Sequence, residues 1–145
     1  MSSKMAACIF CKIVKGEIPC FNLYETERTL AFLDINPLSQ GHALVIPKAH
    51  GAQLTDLDEE SLQDLLPVAV KVAKASKIID PKFADFNMLQ NNGKLAHQEV
   101  DHVHFHMIPK PNEKEGLGIK WPQQDTNMDA LKALYDRMKP ELAKM

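Results

Sequence analysis

Apolar positions recur with a helical period in two parts of the chain. Between residues 58 and 79 they return every three or four positions with lysines between them, which predicts one long central helix beginning at Asp58. Pro67 lies inside this stretch and lacks a backbone N–H, so we expect a kink there or a later start of the helix. A final helix is predicted from Thr126 or Asn127, with a buried apolar stripe formed by Leu131, Leu134, Tyr135, Met138 and Leu142.

Five shorter apolar segments have the length and composition of β-strands. They are Phe21–Tyr24, Thr29–Leu33, Ala43–Ile46, Phe86–Gln90 and Val103–Ile108. Turn-forming pairs separate them, notably Asn36-Pro37 and Asn92-Gly93. Strands, then a helix, then strands again with short connections favour an α+β fold in which a helix covers one face of an antiparallel sheet. Since no repeat or linker interrupts the sequence, we expect a single domain over residues 1–145.

Composition narrows the classes of protein to consider. The 145 residues are 45% hydrophobic and 25% charged, and no apolar run approaches the ~18 residues of a membrane span. The net charge is −2, without a block of like charges, so neither nucleic acid nor a membrane is an expected partner. The first residues, Met1–Ala7, do not resemble a secretory signal. We therefore expect a cytoplasmic protein, with the nucleus as a second compartment.

Three histidines alternate with apolar residues along the last predicted strand, the first of them directly before it. The run is His102-Val103-His104-Phe105-His106-Met107. Alternate side chains of a strand face the same way, so three imidazoles would line one face about 6.7 Å apart while the apolar residues enter the core. Each buried ring nitrogen needs a hydrogen-bond partner, which makes three histidines in register unfavourable as mere core residues.

Two chemistries suit such a face. Neutral imidazoles can ligate zinc or a similar ion. Alternatively, an imidazole with an ordinary pKa of ~6.5 is mostly unprotonated at pH 7 and can attack phosphorus, provided its other nitrogen donates to an acceptor that sets the tautomer. Neighbouring histidines would then donate hydrogen bonds to the phosphoryl oxygens.

The run His102–Ile108 resembles the His-φ-His-φ-His-φ-φ signature of the histidine triad superfamily. Further blocks resemble its Hint branch, the adenosine 5'-monophosphoramidases, and the chain looks like a fungal-type member. They are Cys8–Ile13, Ala31–Pro37, Gly41–Lys48 and Leu89–Gly93. The resemblance implies the histidine triad fold, with a core at about residues 8–122, a helical extension at 123–145, and a homodimer whose five-stranded sheets join across the interface.

The resemblance also implies an activity. AMP–amine conjugates, of the AMP-NH2 or AMP-lysine type, would be hydrolysed at the P–N bond through a covalent nucleotidyl-histidine on His104. His42 and His106 would contact the phosphate, and His102 would complete the catalytic group. The presence of His106 favours hydrolysis over nucleotidyl transfer. No cofactor would be required for this chemistry.

The resemblance assigns further residues to the substrate. Asp34 would accept hydrogen bonds from the ribose hydroxyls, and an apolar slot for the adenine ring would consist of Ile9, Phe10, Ile13, Ile18, Phe32 and Ile35. Asn91 and Gln98 would bind the phosphate or the surroundings of the nucleophile. His97 and Glu99 would border the leaving amine, with Glu99 standing where the family often has a hydroxyl residue. Trp121 would lie near the pocket of the partner subunit.

Some members of the superfamily bind a structural zinc through residues that match Cys8, Cys11, His50 and His102. The competing interpretation is that the two thiols simply pack against the sheet. Two other functions stay open. One is a nucleotide-binding regulatory module with vestigial catalysis, and the other is a metal-dependent hydrolase that uses the strand histidines as ligands.

Overall fold

A five-stranded antiparallel sheet forms the centre of the computed structural model, which describes residues 3–145. The strands are β1 (Asn22–Glu25), β2 (Thr29–Leu33), β3 (Ala43–Pro47), β4 (Phe86–Gln90) and β5 (Phe105–Pro109). Their order across the sheet is β1-β2-β3-β5-β4, and every neighbouring pair is antiparallel. The predicted α+β class is therefore confirmed. Strands β2 and β4 have the predicted bounds, and β1 and β3 end one residue later than predicted.

The two faces of the sheet pack against different helices. On one face Ala31, Val45 and Met107 pack against the long central helix, and all three are at most 1% exposed. On the other face a second cluster surrounds Phe10 and consists of Leu30, Phe32, Leu44 and Ile46. Because side chains alternate along a strand, residues on even positions of β2, β3 and β5 share this second face. The register pairs Leu44 with His106, which brings His106 to the same side as Phe10.

The central helix begins later than its apolar pattern suggests. A single turn, α3 (Glu59–Leu62), precedes the main helix α4 (Leu65–Ile79). Asp58 caps the short turn, because its carboxylate accepts the Ser61 N–H at 2.8 Å. Pro67 is the third residue of α4, a position whose N–H has no partner within a helix. Of the two predicted alternatives, a kink or a later start of the helix, the structure shows the later start, which accommodates Pro67.

The predicted strand Val103–Ile108 is wrong at its beginning. β5 starts at Phe105, whereas in the segment before it His102 lies in a bend and His104 in irregular backbone. The backbone of that segment bonds outside the sheet: the His102 N–H donates to Val100 at 2.9 Å, and the Val103 N–H donates to Gly51 at 2.8 Å. His102 and His106 consequently do not share one regular row of side chains.

The final helix α5 (Met128–Ala143) forms as predicted, with Asn127 as its N-cap. Its predicted burial is wrong, because no residue within Met128–Ala143 is buried. The stripe residues are roughly half exposed, at 52%, 48%, 50%, 53% and 63% for Leu131, Leu134, Tyr135, Met138 and Leu142. Residues 110–127 precede the helix in irregular conformation and leave it apart from the sheet. Two short helices that the sequence pattern missed, α1 (Ser3–Ala7) and α2 (Ile9–Val14), open the chain.

Across residues 3–145, none of the helices combines the length and the apolar character that crossing a bilayer requires.

Replacing Leu30 by alanine tests the core on the Phe10 face. Leu30 is 3% exposed, so Leu30→Ala should lower the free energy of unfolding by about 3 kcal/mol through lost burial and a residual cavity. Leu95→Ala is the matched control, because Leu95 is fully exposed in a loop and its truncation should change stability by less than about 0.5 kcal/mol. Urea unfolding of both variants measures the difference. Equal effects would contradict this placement of the core.

Candidate active site

Five histidines form two neighbouring clusters on the Phe10 face of the sheet. One cluster contains His42, His104 and His106, and the other contains His50 and His102 with two cysteines. The edge of the Phe10 ring packs against both, with ring centroids 5.2 Å from His104 and 5.8 Å from His102. The two groups of side chains are therefore adjacent but distinct.

Hydrogen bonds set the tautomer of His42. The backbone N–H of Leu38 donates to His42 Nδ1 at 3.1 Å, so this nitrogen carries no proton. In the neutral ring the proton then resides on Nε2, which lies 2.9 Å from His106 Nδ1 and 3.5 Å from a carboxylate oxygen of Asp34. His42 Nε2–H donates to His106 Nδ1. His106 consequently carries its own proton on Nε2, where it can donate to a bound oxyanion.

The backbone sets the tautomer of His104. His104 Nδ1 lies 2.7 Å from the carbonyl oxygen of His102, and a carbonyl can only accept. His104 therefore donates from Nδ1 and keeps a lone pair on Nε2. This is the requirement for an imidazole nucleophile, because the attacking nitrogen must be unprotonated and the ring must be held in one orientation.

Burial keeps the imidazoles of this cluster neutral. Burial and the neighbouring His104 and His42 rings lower the pKa of His106 to about 4. Burial also lowers the pKa of His104, against the opposing effect of its bond to the His102 carbonyl. The pKa of His42 is lowered by burial as well, although the Asp34 charge opposes this shift. At neutral pH the cluster is thus uncharged, as attack on phosphorus requires.

Asp34 lies at the edge of this cluster, between a turn and His42. One of its carboxylate oxygens accepts the Asn36 N–H at 2.8 Å, as an ordinary turn aspartate does. Its other oxygen faces His42 Nε2 at 3.5 Å. The sequence did not indicate this second contact, because it depends on pairing between β2 and β3. Directly beyond the paired residues of β2 and β3, the Asp34 N–H donates a hydrogen bond to the His42 carbonyl at 2.9 Å.

The loop after β4 is held by Gln98. The Gln98 amide oxygen accepts the Gly93 N–H, and its amide nitrogen donates to the carbonyls of Ala52 and Val100 at 2.5 and 2.9 Å. Both amide protons are used within the protein. The predicted contact of Gln98 with the phosphate or with the surroundings of the nucleophile stays a prediction. The Asn91 side chain donates to the His97 carbonyl at 3.3 Å.

His97 and Glu99 flank the buried Gln98 and point outward. Their side chains are 84% and 81% exposed, and His97 Nε2 lies 3.8 Å from a Glu99 carboxylate oxygen. His97 also adopts a left-handed backbone conformation with φ of 66°, which is uncommon for a residue with a side chain. Its backbone N–H bonds to the Lys94 carbonyl, closing a short turn. The loop therefore presents two polar, solvent-facing side chains.

The residues predicted to form an apolar slot are not equally available to a ligand. Phe10 and Phe32 are 6% and 4% exposed and pack edge to face at 5.8 Å. Ile13 and Ile18 are half-buried. Two isoleucines, Ile9 at 47% and Ile35 at 78% exposure, remain open to solvent, and so does Trp121 at 78%. The buried members form the floor of the region, whereas the exposed ones can contact a bound ring.

The second cluster consists of Cys8, Cys11, His50 and His102, and all four donor atoms lie within 4.8 Å of one another. His102 Nδ1 is 3.4 and 3.6 Å from the two sulfurs and 3.2 Å from His50 Nδ1. Tetrahedral zinc with bonds of 2.0–2.3 Å places neighbouring ligand atoms about 3.3–3.8 Å apart. The spacing of the donors therefore fits a four-coordinate metal.

The protonation of His102 agrees with that fit. His102 Nε2 lies 2.8 Å from the Pro47 carbonyl oxygen and must donate to it, which leaves a lone pair on Nδ1 aimed at the sulfurs. Burial, together with a hydrogen bond and charge repulsion from Cys8, raises the pKa of Cys11 to about 11. A bound cation would reverse this shift and stabilise the thiolate. The His102 ring lies in the cysteine cluster, where it was also predicted as a ligand, and its catalytic role stays a prediction.

The sequence did not reveal the backbone groups that orient these rings. The Leu38 N–H and the carbonyls of Pro47 and His102 set the orientation of His42, His102 and His104 respectively. Every residue offers such groups, so only the folded chain shows which of them meet an imidazole.

Comparison with known families agrees with this geometry. The family model of the HIT domain matches residues 15–113. The chain belongs to the HIT domain family. The match covers all five strands and both histidine clusters except the two cysteines, which precede it.

Individual HIT proteins are similar over nearly the whole chain. An adenosine 5'-monophosphoramidase from Candida albicans is 52% identical over 143 residues, which cover 97% of this chain and 94% of that protein. The crystal structure of a histidine triad nucleotide-binding protein from the same species superposes with a TM-score of 0.87 at 51% identity, covering 95% of this chain and 99% of that one. A zinc-bound histidine triad protein from Mycobacterium smegmatis gives a TM-score of 0.72 at 33% identity, with 94% and 99% coverage.

The lowered pKa of His106 predicts a pH dependence of stability. In the unfolded chain a histidine titrates near 6.5, whereas folded His106 titrates at about 4. Between these values the unfolded state binds more protons, so the free energy of unfolding should fall as pH decreases from 6.5 to about 4. Urea unfolding across this range should give a smaller slope for His106→Asn than for the unmodified protein. Equal slopes would show that His106 does not carry the shift.

Proposed function

We propose that this protein is a nucleotidyl hydrolase that cleaves the P–N bond of AMP–amine conjugates. The observation that carries the proposal is the hydrogen bond from His104 Nδ1 to the His102 carbonyl, which leaves Nε2 free to attack phosphorus. The name of the Candida albicans relative, an adenosine 5'-monophosphoramidase, supports the same activity.

The first chemical step transfers the nucleotidyl group to the protein. His104 Nε2 forms a bond to the α-phosphorus while the P–N bond to the amine breaks, and the departing nitrogen takes a proton from solvent water. His106 Nε2–H is placed to donate toward the phosphoryl group, because its Nδ1 accepts from His42. One P–N bond replaces another, so binding energy can act mainly on the five-coordinate transition state.

The second step returns the free histidine. Water attacks the α-phosphorus, the bond to His104 Nε2 breaks, and AMP leaves. Throughout, His104 keeps its proton on Nδ1, which donates to the His102 carbonyl. The ring therefore leaves phosphorus as a neutral imidazole. The proton of the attacking water goes to solvent. Low pKa values across the cluster favour that neutral form.

In this proposal the surrounding residues take the substrate contacts that the resemblance implies. Asp34 faces the ribose hydroxyls from the edge of the histidine cluster, and Ile9 and Ile35 contact the adenine ring from solvent-exposed positions. The exposed His97 and Glu99 border the leaving amine. A carboxylate protonates an amine only if its own pKa is raised when the substrate binds, so Glu99 acts in our proposal chiefly through its charge.

Replacing the proposed nucleophile tests the mechanism. His104→Ala should lower hydrolysis of adenosine 5'-phosphoramidate by at least 10⁴-fold, since no other ring in the cluster has the same free lone pair and orientation. Samples of the unmodified enzyme that are denatured at alkaline pH, where the P–N bond to histidine survives, should contain a chain heavier by one adenylyl group, and the variant should not. Unfolding curves and AMP binding serve as controls for the fold. A folded, AMP-binding wild type without turnover would instead leave a nucleotide-binding module as the function.

We also propose that Cys8, Cys11, His50 and His102 hold a structural zinc ion. The ligand spacing and the lone pair on His102 Nδ1 support this assignment, and so does the zinc-bound relative from Mycobacterium smegmatis. A closed Cys₂His₂ site would link α2 to the sheet and supply no open coordination position for catalysis.

Loss of a ligand should separate zinc binding from chemistry. Elemental analysis of the purified protein should give one zinc per chain, and Cys11→Ser should abolish it and lower the Tm by more than about 10 °C, because metal binding contributes directly to folding. His104→Ala should retain its zinc and serves as the matched control. Zinc-free protein with an unchanged Tm would favour the packing interpretation of the thiols.

A homodimer completes the proposal. Strand β4 lies at an edge of the sheet and pairs only with β5, which leaves one side of its backbone able to extend the sheet into a second copy. Helix α4 exposes Leu66 and Val70 at 53% and 40%. Trp121, which is 78% exposed, is then available to the pocket of the partner subunit.

A further inference from the structure

Helix α5 has an apolar face that its own chain leaves uncovered. The face is a single stripe at helical spacing, formed by Met128, Leu131, Leu134, Tyr135, Met138 and Leu142, and each member is between 48% and 70% exposed. Side-chain hydrogen bonds within α5 join residues of the helix, its N-cap and its C-cap to one another. A helix of 16 residues with Pro140 inside it is marginally stable alone in water, so its stability calls for a packing partner.

The same chain contains an apolar groove that has no occupant. It lies between β1 and the C-terminal half of α4, on the sheet face opposite the histidine clusters, and encloses about 330 Å³. The apolar lining comes chiefly from Leu23, Leu33, Val72, Ala75, Ile79 and Met107. At its rim Lys71 Nζ donates to the Tyr24 hydroxyl at 3.0 Å, which gives the groove one polar border. An apolar lining with a polar rim is the form of a helix-binding groove.

We propose that α5 of one chain docks into this groove on a second copy of the chain. Both surfaces are present in one molecule, yet the helix does not fold back onto its own groove even though residues 110–127 could span up to about 60 Å when extended. A second copy offers the same groove. Exchange between two identical chains forms two equal contacts about one two-fold axis.

The dimensions support a stable contact. Helix α5 is about 24 Å long, and the groove follows α4 from Lys71 to Ile79 for about 13 Å, so roughly two turns of the stripe can lie in it. If each helix and each groove buries on the order of 400 Å², two reciprocal contacts bury on the order of 1,600 Å², the size of a standard stable interface. The inference is independent of the proposed reaction and depends only on association between copies.

Disulfide trapping across two chains tests the pairing directly. Chains with Leu134→Cys and differently tagged chains with Ala75→Cys are mixed, oxidised and separated without reductant. A covalent heterodimer is expected at least tenfold above two controls, Ala133→Cys on the opposite side of α5 and Ile78→Cys on α4 outside the groove. All variants retain Cys8, Cys11 and Cys20, so background from the native thiols is the same in each.

Three results would overturn the proposal. A double Leu134→Cys/Ala75→Cys chain that closes its disulfide within one chain would show that α5 folds onto its own groove. Leu134→Cys chains that crosslink to one another in preference to Ala75→Cys chains would show that two α5 helices pair. A heterodimer yield equal to that of the controls would show that the groove does not bind α5.

Hydrogen exchange of the full-length protein gives a second measurement. Backbone amides of α5 should be protected, and Leu134→Glu or Ala75→Glu should lower that protection by tenfold or more because each places a charge in the apolar contact. The matched variants Ala133→Glu and Ile78→Glu should not. Amides of α5 that exchange as fast as an unstructured peptide, or that respond equally to all four variants, would contradict docking. Hydrolysis by the same samples reports separately on the proposed activity.

Discussion

The hydrogen bond from His104 Nδ1 to the His102 carbonyl is the interaction on which the site depends. It keeps one ring nitrogen protonated and the other free, and it orients the ring that carries the free lone pair. The same residue, His102, places its own imidazole in the cysteine cluster and donates from Nε2 to Pro47. One residue, His102, thus contacts the cysteine cluster with its ring and His104 with its carbonyl.

Burial has two opposite consequences in this site. It lowers the pKa of His42, His104 and His106 and so preserves the neutral rings that attack and hydrogen bonding require. It also raises the pKa of Cys11 to about 11, which disfavours the thiolate that a metal needs. A cation is required to offset the second effect and not the first. One apolar surrounding, shared through Phe10, thus suits the uncharged histidine cluster, whereas the cysteine cluster would need a bound cation to hold its thiols as thiolates.

Periodicity was sufficient to predict the sheet, the central helix and the last helix, because each buries or presents a regular set of apolar positions. It failed where hydrogen bonds outside the sheet decided the outcome. The bond from the Val103 N–H to Gly51 takes the chain out of the ladder before Phe105, so the histidines do not form the single row that alternation implied. It failed again at α5, since a periodic stripe indicates that a helix face is covered but not by which molecule. The residue types of the site were visible in sequence, whereas their tautomers depend on backbone groups that every residue possesses.

Hydrogen bonding distinguishes two groups that look equally able to hold a metal. Asp34, His42 and His106 lie as close together as the members of the cysteine cluster. In that group, however, the Leu38 N–H occupies His42 Nδ1, so Nε2 carries the proton of the neutral ring and offers no lone pair. His102 shows the reverse arrangement, because its proton is directed to the Pro47 carbonyl and its lone pair to the sulfurs. The group of Asp34, His42 and His106 therefore offers a metal no lone pair from His42, and the covalent histidine mechanism uses the same proton on His42 to orient His106.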